Sequence, residues 1–189
     1  KYLPDGLDTI IGALLLAPAA RLIAFAADPV VNAAMEYIGM TITAATEQSP
    51  VIMGFLLGGI MKMICTSPLS SMALTAMLGL TGLPMGIAAI ACVAGSFTNG
   101  ILFARLHLGD RSNVIAVMLE PLTQAHIITR YPIPIYASDF LGGGLAGIAA
   151  ALLGIVNNAP GTASPIPGLL APFAFNPAGK VVLALAIGA

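Results

Sequence analysis

The sequence predicts an all-α protein, a polytopic transmembrane helical bundle with broken helices and a re-entrant hairpin. Three observations carry that expectation. Of 189 residues, 58% are hydrophobic and 8% charged, with a mean hydropathy of +0.98. An ordinary soluble domain carries about 25% charged residues, and no compact soluble shape hides this much apolar surface. The charges are bunched, leaving residues 63–104 and 140–179 without Asp, Glu, Lys or Arg. Each stretch has room for one span of about 20 apolar residues and a broken segment beside it. Finally, residues 86–94 (GIAAIACVA) and 145–155 (LAGIAAALLGI) are apolar on every face. Backbone amides inside a bilayer leave only helices or closed barrels, and barrel strands need a period-two alternation that these runs lack.

The elements follow in order. Residues 9–27 form a first apolar segment interrupted by Pro18 and Arg21, read as a broken or tilted helix. Asp28-Pro29 reads as a stop and restart, since Asp caps a helix and Pro suits its first turn. Residues 30–48 carry Asn32, Glu36 and Glu47 and are too polar for a lipid-facing span. Ser49-Pro50 starts the next helix, to about Thr66, with Gly54, Gly58 and Gly59 as a small-residue face for close helix contact. Thr66-Ser67-Pro68 breaks it, residues 70–78 resume as a short piece, and Gly79 to Pro84 interrupts again. Residues 86–104 make the cleanest span, carrying Ser96, Thr98 and Asn99 near one end.

Residues 105–113 (RLHLGDRSN) are the one compact polar loop, its arginines favouring the cytoplasmic side. Residues 113–129, with Glu120, Gln124 and His126, read as a polar amphipathic helix ended by Arg130 to Pro134. Residues 136–156 form a glycine- and alanine-rich span led by Asp139. Residues 157–168 (NNAPGTASPIPG) are a loop, residues 169–175 a short apolar arm, and Asn176-Pro177 opens a final helix. Apolar arms on either side of an uncharged, proline-rich turn predict the re-entrant hairpin. No fixed-period repeat occurs, so residues 1–189 read as a single membrane domain, expected to be a fragment of a longer protein.

With 7 basic and 8 acidic residues, net charge −1, nothing points to nucleic acid, which calls for clustered Lys and Arg. Cys65 and Cys92 read as buried membrane thiols without metal-ligand spacing. Neither a metal site nor another cofactor is expected. An ionised group at bilayer depth costs several kcal/mol, so Glu36, Glu47, Glu120, His126 and Asp139 are the residues to explain. Glu47 and Asp139, beside expected helix ends, read as touching headgroup water, whereas Glu120 and His126 read as facing an interior. Lys62 reads as snorkelling to the interface. HExxH, GxSxG and phosphate-loop signatures are absent, and Glu120 and His126 lie about 240 degrees apart on an ideal helix, so no catalytic centre is expected. Asn157, Asn158, Thr162 and Ser164 are uncharged donors and acceptors suited to a polyhydroxylated solute, or to an ordinary capped turn.

The broken Ser-Pro helix (TSPLSSMALTAMLGLTGLPMG), the polar helix (NVIAVMLEPLTQAHIITRYPIP) and the proline-rich hairpin (NNAPGTASPIPGLLAPF), in that order, resemble the membrane-embedded IIC component of bacterial phosphotransferase sugar systems. Within it they are most similar to the divergent branch that includes the clostridial perfringolysin regulator-like proteins. The resemblance implies a multi-pass protein of the bacterial plasma membrane, a homodimer served by separate phosphocarrier proteins, holding a small, sugar-like solute against re-entrant hairpins. It places His126 as a histidine counterpart and residues 162–168 as a hairpin counterpart. The familiar hairpin supplies a glutamate and Thr162-Ala163-Ser164-Pro165 has none, so sugar phosphorylation does not carry over. The expected solute contacts are Glu47, Asn99, Glu120, Gln124, His126, Asn157, Asn158, Thr162 and Ser164. The alternatives are a membrane sensor or regulator that keeps the fold without transport, and a membrane enzyme.

Overall fold

The computed structural model describes residues 7–46 and 48–189. Every regular element among them is helical, and no strand occurs among the described residues. The chain divides into two compact units, Lys1–Met40 and Thr41–Ala189. Among the described residues, three helical stretches are long and apolar enough to cross a membrane: Leu14–Ile42, Gly82–Arg105 and Pro132–Leu152.

The first unit is the larger part of helix α1 (Leu7–Thr46). Pro18 and Pro29 lie inside this helix, which corrects the expected break at Pro18 and the restart at Asp28-Pro29. Each proline removes one backbone donor and crowds the carbonyl four residues back, at about 3 kcal/mol. The flanking Ala and Leu runs are strong helix formers, and a helix in lipid has no water to which broken backbone bonds can turn. The side chains of residues 14–34 are exposed, Leu22 and Phe25 among them, and Tyr37 further on is exposed as well.

The second unit contains α2 (Pro50–Thr66), α3 (Ser71–Met77), α4 (Gly82–Arg105), α5 (Arg111–Leu119), α6 (Ala125–Ile128), α7 (Pro132–Leu152), α8 (Pro165–Leu170) and α9 (Ala178–Gly188). Pro50 begins α2 with its φ already helical. The helix stops at Thr66 because Pro68 pushes Ser67 into an extended conformation (φ −82°, ψ 168°). The Ser70 hydroxyl then accepts the Ala73 amide at 3.1 Å and caps α3. Helix α4 is apolar all round and is accordingly the central element, with residues 85–96 buried without interruption. The expected single helix over residues 113–129 is instead three pieces. Pro121 disfavours the helical region for the residue before it, so Glu120 is extended (φ −154°, ψ 98°) and Pro121–Gln124 forms a 3-10 turn before α6.

Helices α2 and α7 form the most extensive contact in the unit, and they meet backbone to backbone. A Cβ added at Gly54 would stand 2.6 Å from the Gly147 carbonyl oxygen, and one at Gly143 would stand 2.7 Å from that of Gly58. Rising numbers on α2 meet falling numbers on α7, so the two run antiparallel. Phe55 fills the space over Gly144 and Phe140 that over Gly59, with the rings edge to face at 5.4 Å. The small-residue face expected on α2 is thus matched by a second one, Gly143-Gly144-Gly147, on α7.

Two outcomes follow from this packing and from the polar loop. Gly58→Ala and Gly147→Ala are each expected to destabilise the detergent-solubilised protein by about 1–3 kcal/mol through overpacking, read by thermal unfolding. Gly179→Ala, with open space around its Cβ position, is expected to be neutral or slightly stabilising. At the start of α5, Asp110 accepts the Ser112 hydroxyl at 2.6 Å and the Ser112 and Asn113 amides at 2.8 and 3.1 Å. The Ser112 hydroxyl, followed by the two amides, holds this carboxyl below its ordinary range. A carboxyl lowered by folding stabilises above its unfolded pKa, and that contribution is lost as pH falls through the folded value. Hydrogen exchange at Ser112 and Asn113 is therefore expected to lose protection on acidification below about pH 4, and Asp110→Asn to flatten that dependence.

Candidate functional site

Lys62 on α2 and Asp139 on α7 form an ion pair with Nζ and Oδ1 3.6 Å apart, and neither side chain has any solvent exposure. Asp139 lies roughly 10 Å along α7 from Pro132, at about 1.5 Å per residue. The expected headgroup contact for Asp139 and the expected snorkelling of Lys62 are both corrected here. Their helix faces are turned inward by the glycine contact, so both side chains lie out of solvent. The Lys62 stem lies against Gly95 of α4, where an added Cβ would come within 2.6 Å of Cε, and against Gly143 of α7. Its ammonium donates to Ser96 Oγ at 3.2 Å, and Ser96 Oγ donates to the Cys92 carbonyl at 2.7 Å. Asn99 donates to Thr66 Oγ1 at 3.3 Å, also out of solvent. Thr66 and Asn99 face the Asp139 carboxylate, yet both Asp139 oxygens and Asn99 Oδ1 accept no hydrogen bond. Cys65 and Cys92 are buried free thiols, as expected.

Beyond the end of α2, a cavity of ≈ 220 Å³ is lined by Cys65, the connection from Ser67 to Met72, Glu120, Leu122 and Ser164. Its walls come from parts of the chain far apart in sequence, and hydrogen bonds fix each wall. Ser71 Oγ donates to the Ala163 carbonyl at 2.6 Å, joining the start of α3 to the loop that carries Ser164. That loop is closed at its base by Asn176, whose amide accepts the Val156 N–H at 2.9 Å and donates to the Val156 and Pro172 carbonyls at 2.7 Å. On the opposite wall, Asn113 donates to Gln124 Oε1 at 2.7 Å, Gln124 to Thr123 Oγ1 at 3.2 Å, and Thr123 Oγ1 to the Glu120 carbonyl at 2.7 Å. This chain fixes the turn that presents Glu120.

Of the residues expected from sequence, Glu120 and Ser164 are brought together on this cavity. Asn99 is wholly buried beside the ion pair, and Gln124 is buried in the turn behind Glu120. His126 is exposed and is not among the residues lining that cavity, being carried on α6 beyond the 3-10 turn that follows Glu120. Asn157 donates to Thr162 Oγ1 at 2.8 Å and accepts the Ala159 amide at 3.0 Å. Asn158 accepts the Gly82 amide at 3.0 Å, so these groups shape the loop. Glu47 lies outside the described residues. Sequence reasoning singled out Asp139 and Lys62 as charges to explain but did not bring Lys62, Thr66, Ser96 and Asp139 together as one site. A signal was present: Lys62 is the one basic residue between Arg21 and Arg105, and Asp139 the last acidic residue of the chain.

The whole chain, residues 1–189, matches the protein family described as Phosphotransferase system, EIIC, and the chain belongs to that family. No curated protein and no solved structure matches it.

Removing one partner of a buried pair strands the other charge, so Lys62→Met alone is expected to cost about 3–5 kcal/mol. The double variant Lys62→Met/Asp139→Leu is expected to recover most of that loss, because an apolar pair of similar volume carries no desolvation penalty. Thermal unfolding of the single and double variants measures both.

Proposed function

With membership of the EIIC family making the chain a sugar-transport-related membrane component, we propose that it binds a small polar solute, sugar-like in its hydroxyl chemistry, in the cavity between Glu120 and Ser164. The observation that carries this reading is the composition of the cavity wall, which brings Glu120 together with Ser67, Ser70, Ser71 and Ser164 at the end of otherwise apolar helices. A carboxylate accepts hydroxyl hydrogen bonds, serine hydroxyls donate and accept, and a charged partner makes each bond worth about 1.5–3 kcal/mol. The volume of ≈ 220 Å³ is below the range of about 300–1,000 Å³ for drug-sized ligands, which favours a compact solute over a long chain. Glu120 supplies an acid from the wall opposite the proline-rich loop, the loop that itself has none.

The same reading takes residues 157–175 as a re-entrant hairpin. The clamp by Asn176 at its base and the Ser71 bond to Ala163 support it, since they return both arms to one place. It takes the interruption between α2 and α3 as the broken helix that borders a transport site. It also places the protein as a multi-pass homodimer in a bacterial plasma membrane, working with separate phosphocarrier proteins, with alternation of one helical group against another moving the solute.

The test is ligand-dependent thermal stabilisation of the purified full chain across a panel of sugars and sugar phosphates. At least one is expected to stabilise it, Glu120→Gln to weaken that ligand by about ten- to a hundred-fold, and His126→Asn to leave it within about two-fold. A panel without effect, or unchanged affinity in Glu120→Gln, sinks the assignment of the cavity. Saturable binding with no flux in proteoliposomes would favour the sensor reading.

A further inference from the structure

The ion pair Lys62–Asp139 has the wrong construction for a structural lock. A buried pair contributes to stability only when its geometry is excellent and additional hydrogen bonds satisfy the remaining lone pairs. Charge-assisted N–H···O bonds are about 2.7–2.9 Å, and this one is 3.6 Å. Both Asp139 oxygens lack a hydrogen bond, as does the neighbouring Asn99 Oδ1. A carboxylate buried in the helical core, with Thr66, Asn99 and Lys62 around it but none at full hydrogen-bond geometry, is poised to take up a donor, and the smallest donor is a proton.

We propose that the pair is a proton-binding site, in which proton uptake by Asp139 releases Lys62 toward the cavity that Glu120 lines, so that the α2–α7 contact responds to pH. The charge balance dictates the sequence of events. A proton from water binds the Asp139 carboxylate and makes a neutral carboxylic acid, and the net charge of the pair changes from zero to plus one. The Lys62 ammonium is then an unpaired charge at a site without solvent exposure, which costs several kcal/mol. Of the titratable groups on the packed elements, α2 contributes Lys62 and Cys65, α4 Cys92 and, in its last turn, Arg105, and α7 Tyr136; Cys92 and Tyr136 both sense the charge of Asp139. Helix α9 also packs on α7, and its Lys180 is exposed. None of these supplies a second anion for the lysine. The acid on the neighbouring cavity is Glu120: Cys65, one turn beyond Lys62 on α2, shares that cavity's wall with it. Moving the ammonium outward takes its stem out of the slot between Gly95 and Gly143, and that slot is part of the contact holding α7 to α2 and α4. This inference concerns the response of helix packing to protonation and stands or falls without any solute.

The experiment uses the full chain in lipid nanodiscs and two readouts. Infrared difference spectra between about pH 9 and about pH 4 are expected to show a carbonyl band of a buried carboxylic acid in the wild type and in Glu120→Gln. The band is expected to be lost in Asp139→Asn. At one fixed pH, acylation of Lys62 by a water-soluble amine reagent, read by mass spectrometry, is expected to rise at least about ten-fold in Asp139→Asn, whose carboxamide mimics the protonated acid. Cys92 is expected to stay inert to a thiol reagent in the same sample, which separates local release from unfolding. If Asp139→Asn does not fold, Lys62→Met/Asp139→Leu is expected to fold and to lack the band. Absence of the band in the wild type, its persistence without Asp139, or Lys62 as inert in a folded Asp139→Asn protein as in the wild type overturns the proposal.

Discussion

Helices α2 and α7 approach until glycine backbone touches glycine backbone, and the interior of the second unit is arranged around that contact. In lipid, helices gain nothing from hiding apolar side chains from one another, so close packing of small residues is what draws them together. Gly54 and Gly58 face Gly147 and Gly143 at a distance that admits no side chain. Phe55 and Phe140 lie on the flanks of the seam, each over a glycine of the opposite helix. The same closeness determines where Lys62 and Asp139 point. Both follow the glycine seam inward, and a lysine stem fits there only because Gly95 and Gly143 carry no Cβ.

The cavity and the ion pair occupy neighbouring positions at one end of the helical core, yet they are built differently. The cavity is assembled from irregular backbone: the Ser67 to Ser70 connection, the Glu120 turn and the Ser164 loop. Side-chain hydrogen bonds, from Ser71 to Ala163 and from Asn113 through Gln124 and Thr123 to Glu120, replace the backbone pairing those segments lack. Non-helical backbone at membrane depth is tolerated where protein or a cavity satisfies it, and the serines and asparagines of this chain are concentrated there. The ion pair is carried by regular helix on α2 and α7, which permits it to act on packing. Cys65 stands between the two features, on the cavity wall and one turn from Lys62.

Local punctuation was legible where a residue changes backbone geometry by itself. Pro68 ended α2, Pro50 began it, and the small-residue pattern of Gly54 and Gly58 announced a close neighbour without naming α7. The same reasoning overreached at Pro18 and Pro29, because one lost hydrogen bond does not end a helix whose flanks propagate it. It underreached at Pro121, where the extended conformation forced on Glu120 divides the expected helix and turns His126 outward. Asn157, Asn158 and Thr162 looked like solute contacts because their chemistry suits hydroxyls, and that same chemistry suits the loop that they tie together.

Composition and hydropathy by themselves determined that this chain is helical and belongs in lipid, because the cost of unpaired backbone and of exposed apolar surface depends on residue type alone. The family resemblance was likewise readable in the order of its segments. Which polar groups share a site was decided only by tertiary structure. Lys62 and Asp139 are separated by most of the helical core in sequence, and nothing in either helix specifies its partner until the glycine faces bring α2 and α7 together. Burial is a property of the neighbour as much as of the residue, and for that reason a lysine that sequence reasoning sent to the surface is wholly buried.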